Sequence, residues 1–226
     1  MMRAKRTPKH LGWRWLTAAG VAIAVVTGIV VIGGAKAQNS APVRDAPSKT
    51  ALQKYAHDLT AAAEQGRFDS LTERQDEANR ALQVLARNHK NNPVMITESQ
   101  AVRDLVAAAV ARKIARGDVP EELLSTRIFK LDLELLFHDS KNAEELKSNL
   151  AAILSEIAKA DPRIILLIDP IQSLIGPSSA FDGAASSLST EAIRNGDVQC
   201  LGTSTEIVFQ QSFASDESLA PLFASL

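Results

Sequence analysis

Ile164 to Asp169 reads IILLID, five apolar side chains in succession closed by a carboxylate. Side chains of a β-strand alternate between two faces, so an unbroken apolar run must be covered on both, as in the centre of a helix-layered sheet. The neighbouring segments supply the layers. Asn142 to Lys159 has helical periodicity before the run, and a helical stretch from about Ala184 to Arg194 leads to a second apolar run, Val198 to Gly202. Upstream the same alternation holds. An amphipathic pattern from Thr72 to Asn88 precedes the short strand Pro93 to Ile96, a helix from about Gln100 to Arg116 stops at Gly117, and Arg127 to Leu133 reads as a strand. Repeated β-α-β units of this kind imply an α/β fold with a mainly parallel sheet covered by helices on both faces. Ligands of such sheets bind beyond the carboxyl ends of the strands, at Thr97 to Asp104, Asp169-Pro170 and Thr203 to Thr205 in this chain.

The first 37 residues have a different character. They carry six basic side chains and no acid, so the remaining chain has 19 basic residues against 26 acidic ones, a balance of −7 behind a basic leader. That balance argues against a nucleic-acid binder. Residues 1–15 form a basic segment, and 16–34 (LTAAGVAIAVVTGIVVIGG) contain no charge, with Trp13 and Trp15 just upstream. As a helix, 19 residues span about 28 Å, close to the hydrocarbon thickness of a bilayer. The run reads as a transmembrane helix or a signal h-region: Ala35-Lys36-Ala37 has the small-x-small form of a cleavage site, while the run exceeds the usual signal length. Cleavage after Ala37 and a retained anchor both stay open. Basic residues concentrated before the span place the body on the extracytoplasmic side under the positive-inside rule. Residues 35–50 are a polar, proline-containing linker, and the fold is expected to begin near Ala51.

Chemistry-bearing clusters are sparse. A single cysteine, Cys200, excludes an intrachain disulfide and sits in an apolar strand as a packed small hydrophobe. His57, His89 and His138 lack partners at metal-ligand spacing, so no metal site is expected. Ser178 to Thr190 reads as a small-residue loop entering a helix.

The phrases ALQKYAHDLTAAAEQGRFD, QVLARNHKNNPVMI, ARKIARGDVPEEL, RIILLID and CLGTST resemble the first AAA+ module of the Clp unfoldase and disaggregase family, over about Ala51 to Leu226. The resemblance implies a P-loop NTPase-like three-layer sandwich, the AAA+ large subdomain, in an ATP-driven ring that threads polypeptides. Several positions depart from the family pattern. A phosphate loop needs glycines so that backbone amides approach phosphate oxygens, followed by Lys and by Ser or Thr for magnesium. Here Thr97, Gln100 and Val102 stand at the glycine positions, Arg103 at the lysine and Asp104 at the magnesium ligand. Asp169 matches the strand-end aspartate, but Pro170 replaces the glutamate that polarises water; Thr205 matches the polar sensor. Of the adenine-side turn only Arg74 remains, Lys141-Asn142 lacks the pore-loop aromatic, and Pro221-Leu222 stands where paired arginines would reach a neighbouring subunit.

The expectation is therefore a catalytically inactive pseudo-ATPase with no bound cofactor. It acts as a protein-binding scaffold or assembly component whose partner the sequence does not name, with membrane contact through residues 16–34 and the oligomeric state open. The alternative is a residual ATP-binding or regulatory subunit of a Clp-type ring. The chain is also expected to stop before the family's fifth strand and helical lid, leaving Val94 to Ile96 on an open sheet edge for a partner, a second copy or the C-terminal tail.

Overall fold

A computed structural model describes residues 49–176, 179–180, 183 and 185–226. The basic segment, the apolar run 16–34 and most of the linker lie outside the described residues, as do five positions of the loop between 177 and 184. Among the described residues no helix is long and apolar enough to cross a membrane.

The first described element opens at Thr50. Its side chain accepts from the Gln53 amide and the Gln53 side chain returns to the Thr50 amide, a capping box that opens α1 (Ala51–Tyr55). A three-residue strand, β1 (Ala56–Asp58), and α2 (Leu59–Glu64) follow. Then come α3 (Gln75–Leu85), β2 (Asn92–Ile96), α4 (Gln100–Arg116), β3 (Thr126–Leu131), α5 (Leu133–Asp139) and α6 (Ala143–Ala158). The chain continues through β4 (Arg163–Ile168), α7 (Ser186–Arg194), β5 (Gln199–Ser204), α8 (Glu206–Phe209) and β6 (Phe223–Ser225).

One sheet of order β1-β3-β4-β5-β2-β6 joins the strands, parallel throughout except for β1 against β3. The IILLI run is central, and the pleat divides it as its periodicity demands. Ile164, Leu166 and Ile168 face a core shared with α1, α5, α6 and α7, while Ile165 and Leu167 face the core of α2, α3 and α4. Cys200 and Leu201 divide in the same way, as do Val94 and Met95.

Of the three coverings expected for the β2 edge, the C-terminal tail is the one present, as β6, which also corrects the expectation that no strand lies beyond β2. Asn92, Pro93 and Val94 pair with Phe223, Ala224 and Ser225, so the sheet does possess a strand outside β2, supplied by the last residues of the sequence. Its anchor is Phe223, 1% exposed, whose ring meets Phe213 edge-on at 5.3 Å; Phe213 in turn stacks on Phe209 at 5.8 Å. The Asn92 side chain ties both neighbours of β2: its amide donates to Leu222 O at 3.0 Å, and its carbonyl accepts from the Cys200 amide at 2.9 Å.

Other boundaries move for local reasons. β3 ends at Leu131, not Leu133, because Asp132 accepts from the Leu135 amide and caps α5. α3 starts at Gln75 because Arg74 adopts φ 60° and ψ 31°, outside the helical region. α7 starts at Ser186, and Asp169 lies just past β4 rather than inside it.

Gly202 is required by packing. A Cβ there would meet Ile171 Cδ1 at 2.6 Å and Ile171 Cβ at 3.0 Å, so the turn after β4 lies directly on the β5 backbone. Replacing Gly202 with Ala should destabilise the full chain by about 1–3 kcal/mol through overpacking, and Phe223→Ala by about 3–5 kcal/mol through loss of a buried ring. Guanidinium unfolding followed by circular dichroism measures both; a wild-type midpoint for Phe223→Ala would show that β6 does not hold the sheet edge.

Candidate functional site

The carboxyl ends of β2, β4 and β5 converge on Asp169. Its side chain is 6% exposed and both oxygens are occupied. Thr203 donates its hydroxyl to Oδ1, and Arg103 Nε stands 2.9 Å from the same oxygen. The Arg103 Nε–H is not aligned for a hydrogen bond, so this contact is a charge pair rather than a directed bond. Oδ2 accepts from Gln100 Nε2 at 3.2 Å and lies 3.7 Å from Lys130 Nζ.

A second carboxylate, Asp104, completes the cluster. It accepts from Lys130 Nζ at 2.9 Å and from Gln100 Nε2 at 3.2 Å. Partial burial would raise its carboxyl, but the Lys130 ammonium and the Gln100 amide together hold it below the usual carboxylate range. Two cations, Arg103 and Lys130, thus face two anions, Asp104 and Asp169, and the group is neutral in itself. A phosphate approaching it meets no uncompensated positive charge.

The segment from Thr97 to Ser99 explains how Arg103 comes to point inward. Ser99 is the N-cap of α4, with extended backbone, and its hydroxyl accepts from the Val102 amide at 3.4 Å, satisfying one of the donors that a helix start would otherwise offer an anion. The Ser99 amide is itself used by the Thr97 hydroxyl, and the Thr97 amide by Ser204 O. No residue from Thr97 to Asp104 has positive φ, as expected of a glycine-free stretch. Arg103 folds over this turn, donating to the carbonyls of Thr97 at 3.3 Å and Glu98 at 3.4 Å and to the Gln100 side chain.

The remaining sequence-singled residues are dispersed. Pro170 precedes a single 3-10 turn, Ile171–Ser173, and contributes neither an acid nor an amide donor next to Asp169. Thr205 caps α8, accepting from the Val208 amide at 3.3 Å. Asn142 caps α6 by accepting from the Glu145 amide at 2.9 Å, and the Lys141 amide donates to Glu145 Oε2 at 2.9 Å. Arg74 precedes α3 and pairs with Glu77 at 2.9 Å. Pro221 and Leu222 lead into β6, where Leu222 O receives the Asn92 amide at the opposite end of β2 from Thr97. Thr203, expected at the carboxyl end of a strand, does reach Asp169, whereas Lys130, in contact with both Asp169 and Asp104, was not singled out by the sequence. Lys130 carries a weak signal: a lysine interrupting the apolar pattern of a strand near its carboxyl end.

Comparison with known proteins bears on this geometry. The family model described as the SMAX1 nucleotide binding domain matches residues 67–169. Chaperone protein ClpB of Mesorhizobium japonicum is 40% identical over 175 residues, covering 76% of this chain and 20% of that protein. The chain is homologous to a ClpB-type AAA+ module. The mitochondrial chaperone protein ClpB4 of Arabidopsis thaliana is 35% identical over 76% of the chain. Among solved structures, the S. cerevisiae Hsp104-ADP complex superimposes with a TM-score of 0.70 at 30% identity, covering 77% of this chain and 30% of that one. The α/β, mostly parallel architecture of the module is therefore the P-loop NTPase-like fold of Hsp104. The chain spans about a fifth of the length of the curated ClpB relatives it matches.

The Asp104 pair sets a pH dependence. Because its folded value is depressed, its contribution is present above the unfolded value of about 3.9 and is lost as pH falls through the lower folded value. Unfolding midpoints of the wild type and Lys130→Met between pH 6 and pH 2.5, ranges set by that carboxylate value, should differ near neutrality and converge at the acid end. A constant gap across the range would show that the Lys130–Asp104 pair does not titrate as described.

Proposed function

We propose that this chain is a Clp-related pseudo-ATPase: an AAA+ large subdomain used as a protein-binding scaffold or assembly component, carried at the membrane by residues 16–34 and not turning over nucleotide. The observation that supports this reading is the neutral cluster of Arg103, Gln100, Asp104, Lys130 and Asp169 at the sheet's carboxyl end, where the family resemblance expects triphosphate and magnesium. In this cluster the cation at the phosphate-lysine position is spent on a carboxylate of the same chain. No glycine frees the amides of Thr97 to Asp104, and no acid follows Asp169 to activate water. Loss of function in these groups leaves the packing intact, since fold and chemistry rest on different residues.

The test is calorimetric titration of the detergent-solubilised full chain with ATP and magnesium, together with phosphate release. No saturable heat is expected up to about 1 mM nucleotide, a limit that excludes binding tighter than roughly −4 kcal/mol, and phosphate release should stay at the buffer rate. Micromolar binding would move the chain to the regulatory-subunit reading. C-terminal reporter fusions test the membrane part: activity of an extracytoplasmic reporter is expected, and activity of a cytoplasmic one instead would reverse the topology.

A further inference from the structure

The outer strand opposite β6 is β1, whose one neighbour among the described residues is β3. Residues 50–57, which comprise the Thr50 cap, α1 and the start of β1, are held to the body by few groups. Leu52, Tyr55 and Ala56 are their buried apolar side chains, in the core cluster that also contains Leu133 and Leu136 of α5 and Leu150, Leu154 and Ile157 of α6. The ladder to β3 is short: Ala56 lies opposite Leu131, His57 opposite Lys130 and Asp58 opposite Phe129.

Among the described residues, every side-chain hydrogen bond or ion pair from this segment to the rest of the body ends on a carboxylate. Glu156 of α6 accepts from the Ala51 amide at 2.9 Å with one oxygen and from the Leu52 amide at 3.0 Å with the other. These are donors that the first turn of α1 leaves without a partner in its own helix. Partial burial would raise the Glu156 carboxyl, but the Leu52 amide, the Thr50 side chain and the Ala51 amide hold it below the usual carboxylate range, so the tie is charge-assisted. Asp139, at the end of α5, meets Lys54 Nζ at 2.7 Å and accepts from the Tyr55 hydroxyl at 3.4 Å. Asp132, the N-cap of α5, lies 3.4 Å from His57 Nε2. The segment therefore grips α5 at both ends and α6 near its last turn.

The character of the ties changes at Asp58. Its Oδ1 accepts from the Ala61 amide at 2.8 Å, capping α2, and its Oδ2 accepts from Arg127 Nε of β3 at 3.0 Å. Two residues on, the buried Thr60 hydroxyl accepts from the Ile128 amide of β3 at 2.9 Å. α2 is thus fixed to the sheet by its own contacts, and Asp58 separates a lightly held segment from a firmly held one. Segments with few buried apolar contacts and partly exposed ties open at lower free energy than the core.

We propose that residues 50–57 form a releasable strap, which swings about Asp58 away from α5, α6 and β3 as one unit while the sheet stays folded, with Glu156 as its latch. Closed, the strap covers the edge of β3 from Phe129 to Leu131 and clamps α5. Open, it frees α5 and bares a row of backbone groups on β3, the kind of edge to which an extended chain pairs.

Hydrogen exchange of the detergent-solubilised full chain, resolved by peptide, tests the strap. Amides of Ala51–Asp58 and of α5 should exchange through an opening that low guanidinium scarcely promotes, because little surface is exposed, whereas amides of β4 should exchange through one that it promotes strongly. Glu156→Gln removes the charge and one of the two acceptors. It should speed strap exchange about tenfold, the loss of one charge-assisted hydrogen bond, speed α5 in step and leave β4 unchanged. Asp139→Asn, at the other end of α1, should give the same pattern. Trypsin supplies a second readout: cleavage after Lys54 should quicken in both variants. A common rate and guanidinium dependence for strap and β4 would overturn the proposal, as would variants that leave the strap unmoved or speed strap and β4 equally. A faster strap over an unmoved α5 would overturn the clamp.

Discussion

A carboxylate buried at the end of a central strand must be compensated, since an unpaired charge in that position is far more costly than a paired one. Asp169 is such a group, and the upper rim of this sheet is organised around satisfying it. Thr203 comes from β5, Arg103 and Gln100 from the first turn of α4, and Lys130 from β3. Three elements that meet through apolar packing below are thereby also cross-linked through charge above. Here the chain supplies the countercharge from its own side chains, which makes the strand ends self-sufficient.

The arrangement depends on the turn between β2 and α4. With glycines the turn would present amides outward. With Thr97, Glu98 and Ser99 it uses the Ser99 hydroxyl as an ordinary helix cap and turns carbonyls toward the Arg103 guanidinium. Two other residues aligned by the resemblance, Asn142 at the pore-loop position and Thr205 at the polar sensor, act as helix caps, for α6 and α8. The local rules of helix initiation account for these residues without reference to catalysis.

Much of this was readable in the sequence because it follows from periodicity. The run from Ile164 to Ile168 could only be a strand covered on both faces, and Gly117 could only end α4 in a left-handed cap, as it does at φ 71°. What escaped had weak local signals. β1 is three residues inside a stretch of helical composition, and β6 is three residues, Phe-Ala-Ser, whose pairing depends on Phe223 reaching Phe213 across the core. A short edge strand of that kind is specified by tertiary packing rather than by alternation. Of the charged cluster, Asp169 and the α4 residues were legible from their place at strand and helix ends. Lys130 was not, because its partners are distant in sequence and only the β3–β4 register brings them together.

The contact of Ile171 with Gly202 has a mechanical corollary. A loop that follows a strand-end acid can report events at that acid only if it is free to slide across the adjoining strand. Here a branched side chain is seated directly on bare backbone, 0% exposed, and any sideways travel would open a void or force a collision. The segment beyond Asp169 is accordingly fastened to the sheet at this contact.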